Sequence, residues 1–207
     1  MKKIVASIVA FLLFTASAAQ SFNWSYVADK MLESTFQLRT FTDQGYCSGW
    51  VTNNKRNYAI TAEHCVNSSW ALEGGIVVDG FAVEVLEINE KSDWAVLRIP
   101  GIDRPELEPQ LRKAHVGDEA AAFGFAYGHQ QPVLRVGTIS ALEHDLSVWG
   151  LDGLWTVTDQ TFIGGMSGGP VVDIEGRVVS MVQRGNGDIG IGRSIQEIYK
   201  QTKKYWR

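Results

Sequence analysis

The sequence predicts an all-β protein built as two packed β-barrels. Short apolar segments separated by turns follow one another from Ser34 to Ile191, and the 207 residues include 21 glycines. This pattern is typical of barrels and sandwiches. A proline-rich segment near the middle separates two halves of similar size, each with about five or six candidate strands. Two barrels that pack side by side are the natural interpretation.

The clearest strand runs from Phe81 to Ile88, where apolar residues alternate with others. Such alternation is expected when one face of a strand enters a core. The segments 35–39, 58–60, 75–78, 94–99 and 133–142 are further candidate strands.

The central segment 100–109 holds three of the five prolines, with charged residues between them, and this predicts a linker. We therefore expect a signal peptide at 1–19, an N-terminal barrel at 20–99, the linker at 100–109, and a C-terminal barrel with a terminal helix at 110–207.

Helix signals are confined to the two ends of the chain. Ser194 and Glu197 have the spacing of a capping box, and apolar residues follow at helical spacing. A final helix packed on the second barrel is predicted. Residues 25–33 are expected to form a short leading helix.

The first residues resemble a signal peptide. Lys2 and Lys3 precede an apolar run at 4–14, and small residues at 16–19 predict cleavage after Ala18 or Ala19. An uncleaved anchor is the alternative, but the run is shorter than the roughly 20 residues that a membrane span needs. We expect an exported protein, periplasmic or secreted, with no stable membrane anchor after cleavage.

The formal net charge is −4, and the body of the chain contains no basic cluster. A nucleic-acid partner is therefore not expected. The charge becomes more acidic when Lys2 and Lys3 leave with the signal peptide.

Two cysteines, Cys47 and Cys65, predict a disulfide, because an even count in an exported chain favours pairing. The neighbouring Glu63 and His64 suggest zinc as an alternative. However, no further Cys or His pair stands at ligand spacing, so neither a metal nor a cofactor is expected.

The segment Gly164–Pro170 places Ser167 among glycines. A serine hydroxyl reacts only when a base and N–H donors lie beside it, and glycines leave backbone amides accessible. A plain glycine-rich turn is the alternative interpretation. His64 and Asp93 decide between them, because each lies at the end of a candidate strand and together they supply a base and a carboxylate to orient it.

The order His64, Asp93, Ser167, in the motifs Thr-Ala-x-His-Cys, Asp-x-Ala-Val-Leu and Gly-x-Ser-Gly-Gly-Pro, resembles the chymotrypsin-like serine proteases. The stretch 158–169 is similar to the serine region of the bacterial HtrA (Deg) proteases, in which a PDZ domain usually follows, and no PDZ domain is expected here. The cysteine pair is closer to the trypsin and glutamyl-endopeptidase branches. The resemblance implies two six-stranded antiparallel barrels.

Carried over by position, the resemblance implies that Ser167 is the nucleophile, His64 the general base and Asp93 the residue that orients it. The backbone amides of Gly165 and Ser167 would form the oxyanion hole. Met166 stands where many trypsin-like enzymes have an aspartate that pairs with a new N-terminus, so activation by that ion pair is not expected.

The resemblance also predicts the substrate-binding residues, and no carboxylate lies at the base of the predicted pocket. A small or apolar residue is therefore expected before the scissile bond. The predicted lining consists of Thr161, Phe162, Gln183, Arg184, Gly185, Gly190 and Gly192.

The sequence thus predicts an exported serine endopeptidase that acts on proteins or peptides through an acyl-enzyme. A protease-fold peptide-binding or chaperone-like protein with little turnover is the alternative. The oligomeric state is left open.

Overall fold

A computed structural model describes residues 23–43, 46–146 and 151–206. The described residues are mostly strands, so the predicted all-β fold is confirmed. The predicted signal peptide at 1–19 lies outside them. Within the described ranges, no helix combines the length and the apolar character needed to cross a membrane.

The first half forms a curled sheet of seven antiparallel strands in the order β5-β4-β1-β2-β3-β7-β6. The strands are β1 (Thr35–Thr40), β2 (Cys47–Asn53), β3 (Tyr58–Thr61), β4 (Ile76–Val78), β5 (Phe81–Ala82), β6 (Glu84–Asn89) and β7 (Trp94–Arg98).

The count of seven, where six strands were expected, comes from the segment predicted as one strand at 81–88. It breaks at Val83, whose amide donates to the Ile76 carbonyl at 3.0 Å. Its first part, β5, pairs with β4 at one edge of the sheet, and its second part, β6, pairs with β7 at the other. One bent segment therefore brings both edges together, which explains why the sheet curls.

The second half closes into a six-stranded barrel, as expected, with the order β10-β13-β12-β11-β8-β9. The strands are β8 (Glu119–Gly124), β9 (Val133–Leu146), β10 (Leu151–Thr158), β11 (Pro170–Val172), β12 (Val178–Asn186) and β13 (Ile189–Ser194).

Three α-helices flank the strands: α1 (Trp24–Ser34), α2 (Ser69–Gly74) and α3 (Ile195–Thr202). The Asn23 side chain caps α1 by accepting from the Ser25 amide at 2.9 Å. The predicted final helix is present, but the Ser194 side chain makes no capping hydrogen bond. Glu197, the expected partner in the capping box, instead pairs with Arg193.

The segment 100–109 is held by both halves. The Leu107 amide donates to the Val51 carbonyl at 2.9 Å, and the Val178 amide donates to Glu108 at 2.8 Å. Leu107 is fully buried and belongs to the hydrophobic cluster of the first sheet. Phe123 and Met181 of the second half belong to the same cluster, so the halves share a core.

Candidate active site

His64 and Asp93 lie together because their strands are neighbours. β3 pairs antiparallel with β7, with Thr61 opposite Ala95, so the end of β3 and the start of β7 share one edge of the sheet. His64 lies in a 3₁₀ turn that follows β3, at Glu63–Cys65, and Asp93 directly precedes β7. The pairing brings a basic and an acidic side chain to the same place.

The contact between the two residues is extensive. The Asp93 carboxylate lies 2.9 Å from Nδ1 of His64, and it also accepts from the His64 backbone amide at 3.0 Å. The Asp93 side chain is 13% exposed and the His64 side chain 45%. With the Nδ1 proton directed to the carboxylate, Nε2 is the ring atom available to accept a proton.

A disulfide fixes the turn of His64. Cys65 is bonded to Cys47 at the start of β2, with 5.9 Å between the Cα atoms, and both cysteines are buried. The predicted pairing is therefore present in the structure. The two sulfur atoms and the His64 ring lie within 4.8 Å of one another, but the sulfurs are bonded to each other and do not offer thiolates to a metal.

Gln183 links Ser167 to Asp93. The Ser167 hydroxyl donates to the Gln183 carbonyl at 3.2 Å, and Nε2 of Gln183 donates to the Asp93 carbonyl at 2.6 Å. The register of β12 against β13 shifts between Val182 and Arg184, which makes Gln183 the extra residue of a bulge. Bulges redirect side chains, and this one turns Gln183 inward, where it is 3% exposed.

The loop before Ser167 presents two backbone amides. Neither the Gly165 nor the Ser167 amide donates to an acceptor in the described ranges of the chain. Gly165 has φ +94°, and a Cβ atom there would overlap the carbonyl oxygen of Phe125. Glycine is therefore required at this position, both by the backbone angle and by the close approach.

Ser48 on β2 holds this loop, and sequence reasoning missed it. Its hydroxyl donates to the Gly165 carbonyl at 2.9 Å and accepts from the Phe125 amide at 2.9 Å. Its own amide donates to the Ser167 carbonyl at 2.8 Å. The position next to Cys47 was the available signal, since a small polar residue beside a buried cysteine has to find partners inside the fold.

Two further contacts support the same loop. The Tyr127 amide donates to the Gly164 carbonyl at 2.7 Å, and Tyr127 itself has φ +51°. The Met166 side chain is fully buried in the core of the second barrel, together with Phe162 and Val182. Hydrogen bonds from the first sheet and apolar burial thus hold a loop for which no ion pair was expected.

Three of the predicted substrate-binding residues lie around Phe162. Its ring lies against Gly190, and its backbone lies against Gly185, so closely that a Cβ atom at either glycine would collide with it. Gly185 and Gly190 also face each other in the β12–β13 pair. Thr161 lies beside this group and donates to the Gly187 carbonyl at 2.8 Å.

The other three predicted residues have different surroundings. The Gln183 side chain is buried against Asp93, as described above. Arg184 is exposed. Gly192 pairs with Val182, and a Cβ atom there would meet Ser180 and Met181, so Gly192 lies against the neighbouring strand and not beside Phe162.

Asp159 anchors the segment that leads to Thr161 and Phe162. Its carboxylate accepts from the Thr138 amide at 2.6 Å and from the Thr138 hydroxyl at 2.9 Å. These hydrogen bonds, the one from the amide first, hold the pKa of Asp159 below its ordinary value. The start of this segment is therefore tied to β9 by a charged acceptor.

Comparison with known proteins shows the family to which the chain belongs. Residues 47–181 match the family model of the trypsin-like peptidase domain. The periplasmic pH-dependent serine endoprotease DegQ of Escherichia coli is 29% identical over 171 residues, covering 77% of this chain and 36% of DegQ. A probable periplasmic serine endoprotease, DegP-like, of Chlamydia pneumoniae is 31% identical over 149 residues, covering 68% of this chain and 30% of that protein. The chain thus spans about a third of the length of these relatives.

Solved structures share the fold. A serine endoprotease from Yersinia pestis has a TM-score of 0.74 at 20% identity, covering 89% of this chain and 67% of that chain. The active form of the Rv3671c protease from M. tuberculosis has a TM-score of 0.72 at 19% identity, covering 86% of this chain and 83% of that chain.

Proposed function

Because this chain belongs to the trypsin-like peptidase family, we propose that it is an exported serine endopeptidase in which Ser167, His64 and Asp93 form the catalytic triad. The substrates are proteins or peptides. Hydrolysis proceeds through an acyl-enzyme on the Ser167 oxygen.

The link through Gln183 is the observation that carries this proposal. One residue contacts both the Ser167 hydroxyl and the Asp93 backbone, and Asp93 in turn holds His64 through three contacts. On the other side of Ser167, its carbonyl lies 3.7 Å from Sγ of Cys65, the residue that follows His64. Residues far apart in the sequence thus surround a single serine.

In the structure the Ser167 hydroxyl donates to the Gln183 carbonyl, so the proposed reaction begins when this hydroxyl turns toward Nε2 of His64. Nε2 of His64 accepts the Ser167 proton while the Ser167 oxygen attacks the substrate carbonyl carbon, and the imidazolium then protonates the leaving amine. Asp93 stabilises the imidazolium and keeps the ring oriented. Water, activated by the same His64, then releases the acyl group as a carboxylic acid.

The Gly165 and Ser167 amides serve as the oxyanion hole. Because no acceptor for them lies among the described residues, these amides can donate to the oxygen that becomes negatively charged in the tetrahedral intermediate. Because Ser48 and Tyr127 already hold the carbonyls of this loop, the amides are positioned without an N-terminal ion pair.

The residues around Phe162 favour a small or apolar side chain before the scissile bond. The Phe162 ring occupies the space against Gly190, and no carboxylate lies among the predicted lining residues to bind a lysine or arginine. Arg184 and Gly185, both exposed, offer a strand edge on which the substrate backbone extends.

Export is supported by the basic and apolar start of the sequence and by the names of the relatives, which are periplasmic. The disulfide agrees with an oxidising compartment.

Labelling with a fluorophosphonate at neutral pH tests this function. The folded wild-type protein should react once, and Ser167→Ala should abolish the label. Ser140→Ala, which removes an exposed serine of β9, should label like the wild type. A folded wild-type protein that neither labels nor cleaves any peptide of a random library would favour the peptide-binding alternative.

A further inference from the structure

The turn that presents Asp93 is strained. Asp93 has φ +49°, a left-handed conformation that is unfavourable for a residue with a side chain. Such a conformation persists only where the surroundings impose it. The residues that impose it here come from the opposite end of the chain.

Arg193 on β13 holds the residue before Asp93. Its guanidinium donates to the Ser92 hydroxyl at 2.6 Å, lies 3.2 Å from the Glu197 carboxylate, and covers the Trp155 ring at 4.7 Å from the ring centroid. The Arg193 side chain is only 3% exposed. A buried guanidinium with a carboxylate and an aromatic face as partners has little freedom, so it forms a fixed support for Ser92.

Gln201 on α3 holds both sides of the same turn. Its Oε1 accepts from the Asn89 side chain at 2.8 Å and from the Trp94 indole at 3.2 Å. The Asn89 side chain in turn accepts from the Ser92 amide at 3.0 Å. The residues that flank Asp93 are therefore both tied to the terminal helix.

We propose that Arg193 and Gln201 are positioning residues of the triad, which hold the turn 89–94 so that the Asp93 carboxylate stays against His64. This inference rests on the proposed function. It extends that function to the terminal helix, which has no contact of its own with Ser167 or His64 among those that the structure describes.

A variant that displaces the Asp93 carboxylate and a variant that is only less stable have different effects on kcat. A displaced carboxylate lowers kcat, because the imidazolium that forms in the transition state loses its partner, while substrate binding and KM are unchanged. A variant that is only less stable keeps the kcat of its folded fraction at temperatures well below its Tm.

Gln201→Ala provides the cleanest test, because Gln201 is exposed and its loss leaves no buried cavity. The matched control is Gln196→Ala on the same helix, since the Gln196 side chain donates to the Leu111 carbonyl and does not touch the turn. We expect Gln201→Ala to lower kcat about 10-fold at constant KM, and Gln196→Ala to match the wild type.

Arg193 is tested by chemical rescue. Arg193→Ala should lower kcat about 100-fold. Millimolar methylguanidinium should restore part of the lost kcat. A cavity of about 250 Å³ beside Ser92, Arg193 and Gln201 has room for this small cation. The same additive should not stimulate Gln201→Ala. If Arg193→Ala does not fold, the kcat and KM of Gln201→Ala alone test the positioning role.

The two proposals fail in different ways. A wild-type protein that neither labels nor cleaves overturns the proposed function. An active wild type whose Gln201→Ala variant retains full kcat, or loses activity only through KM, overturns the positioning role while the triad stands.

Discussion

The Ser48 hydroxyl donates to the Gly165 carbonyl at 2.9 Å, across 117 positions of sequence, and this hydrogen bond ties the first sheet to the loop of the second barrel that carries the amides proposed as the oxyanion hole. The same oxygen accepts from the Phe125 amide, so one side chain holds both the loop at Gly165 and the backbone at Phe125. In trypsin-like enzymes that carry an aspartate at the position of Met166, an ion pair holds this loop. Here a neutral hydroxyl and a buried methionine hold it.

Ser48→Ala should therefore lower kcat by about 10- to 100-fold, because the oxyanion amides lose their alignment. Steady-state kinetics on a peptide substrate measures the loss. Ser180→Ala is the control, since it removes a buried hydroxyl that has no hydrogen-bond partner among the described residues. Equal activities of the two variants would show that Ser48 does not hold the loop.

Gly165→Ala should reduce kcat about 100-fold or more, because a Cβ atom would collide with the Phe125 carbonyl and force the peptide away from φ +94°. Gly117→Ala is the matched control: Gly117 has φ +95°, but its Cβ would meet nothing within 4 Å. Both variants bear the same backbone strain. A similar loss of kcat in both would mean that strain, and not the oxyanion geometry, causes the effect.

Asp93→Asn should lower kcat by about 10⁴-fold, because an amide at this position favours the wrong tautomer of His64. KM should change little, since Asp93 lies behind the imidazole and away from the substrate. Circular dichroism checks that the fold is kept. An Asp93→Asn variant with more than a tenth of the wild-type kcat would contradict the assigned role.

Replacing Cys47 and Cys65 together by serine should lower the free energy of unfolding by about 3 kcal/mol, as expected for a loop of this length. Urea denaturation measures the change, with the wild type under oxidising conditions as the reference. Reduced wild-type protein should behave like the double variant. If all three have the same unfolding midpoint, the disulfide does not contribute to stability.

Asp173→Asn should destabilise the fold at neutral pH by about 1–3 kcal/mol, because it removes a charged acceptor. Burial by itself raises the pKa of Asp173, but hydrogen bonds from Arg177, Gln110 and the Glu175 amide outweigh it and hold the pKa below its ordinary value. The stabilisation is thus present above the unfolded pKa and is lost as the pH falls through the lowered, folded one.

The difference in unfolding free energy between wild type and Asp173→Asn should therefore shrink on acidification. Urea denaturation at neutral and at acidic pH measures it, with the exposed Asp188→Asn as control. A difference that is constant over the whole range would show that the charge of Asp173 is not involved.

Local chemistry made much of the molecule predictable. Alternation at 81–88 predicted one strand with a face in the core, and this was wrong on both counts. The segment breaks at Val83, through a hydrogen bond to Ile76 that no local pattern encodes, and Phe81, Val85 and Ile88 are exposed. The capping-box spacing of Ser194 and Glu197 predicted the start of α3 correctly. The capping box itself does not form: the Ser194 side chain makes no capping hydrogen bond, and Glu197 pairs with Arg193.

For the substrate-binding residues, too, local patterns suggested the residues but not their tertiary contacts. Gln183 was predicted as a substrate-binding residue, and this stays a prediction; its side chain is directed to the Asp93 carbonyl by the bulge in β12, which no local pattern indicated. The position of Ser48 beside Cys47 indicated a buried hydroxyl but not its partners, and nothing local to Arg193 indicated Ser92, because these partners lie about a hundred residues away.

The sequence by itself determined the class of fold, the pairing candidates Cys47 and Cys65, and the three side chains with the chemistry of a triad, because periodicity and reactive groups are local properties. Only the tertiary structure decided what holds these side chains in place: Ser48 under Gly165, Gln183 between Ser167 and Asp93, and Arg193 and Gln201 behind Asp93. Those contacts form where the first sheet, the second barrel and α3 meet, and the spacing of residues along a chain does not specify which distant groups such packing joins.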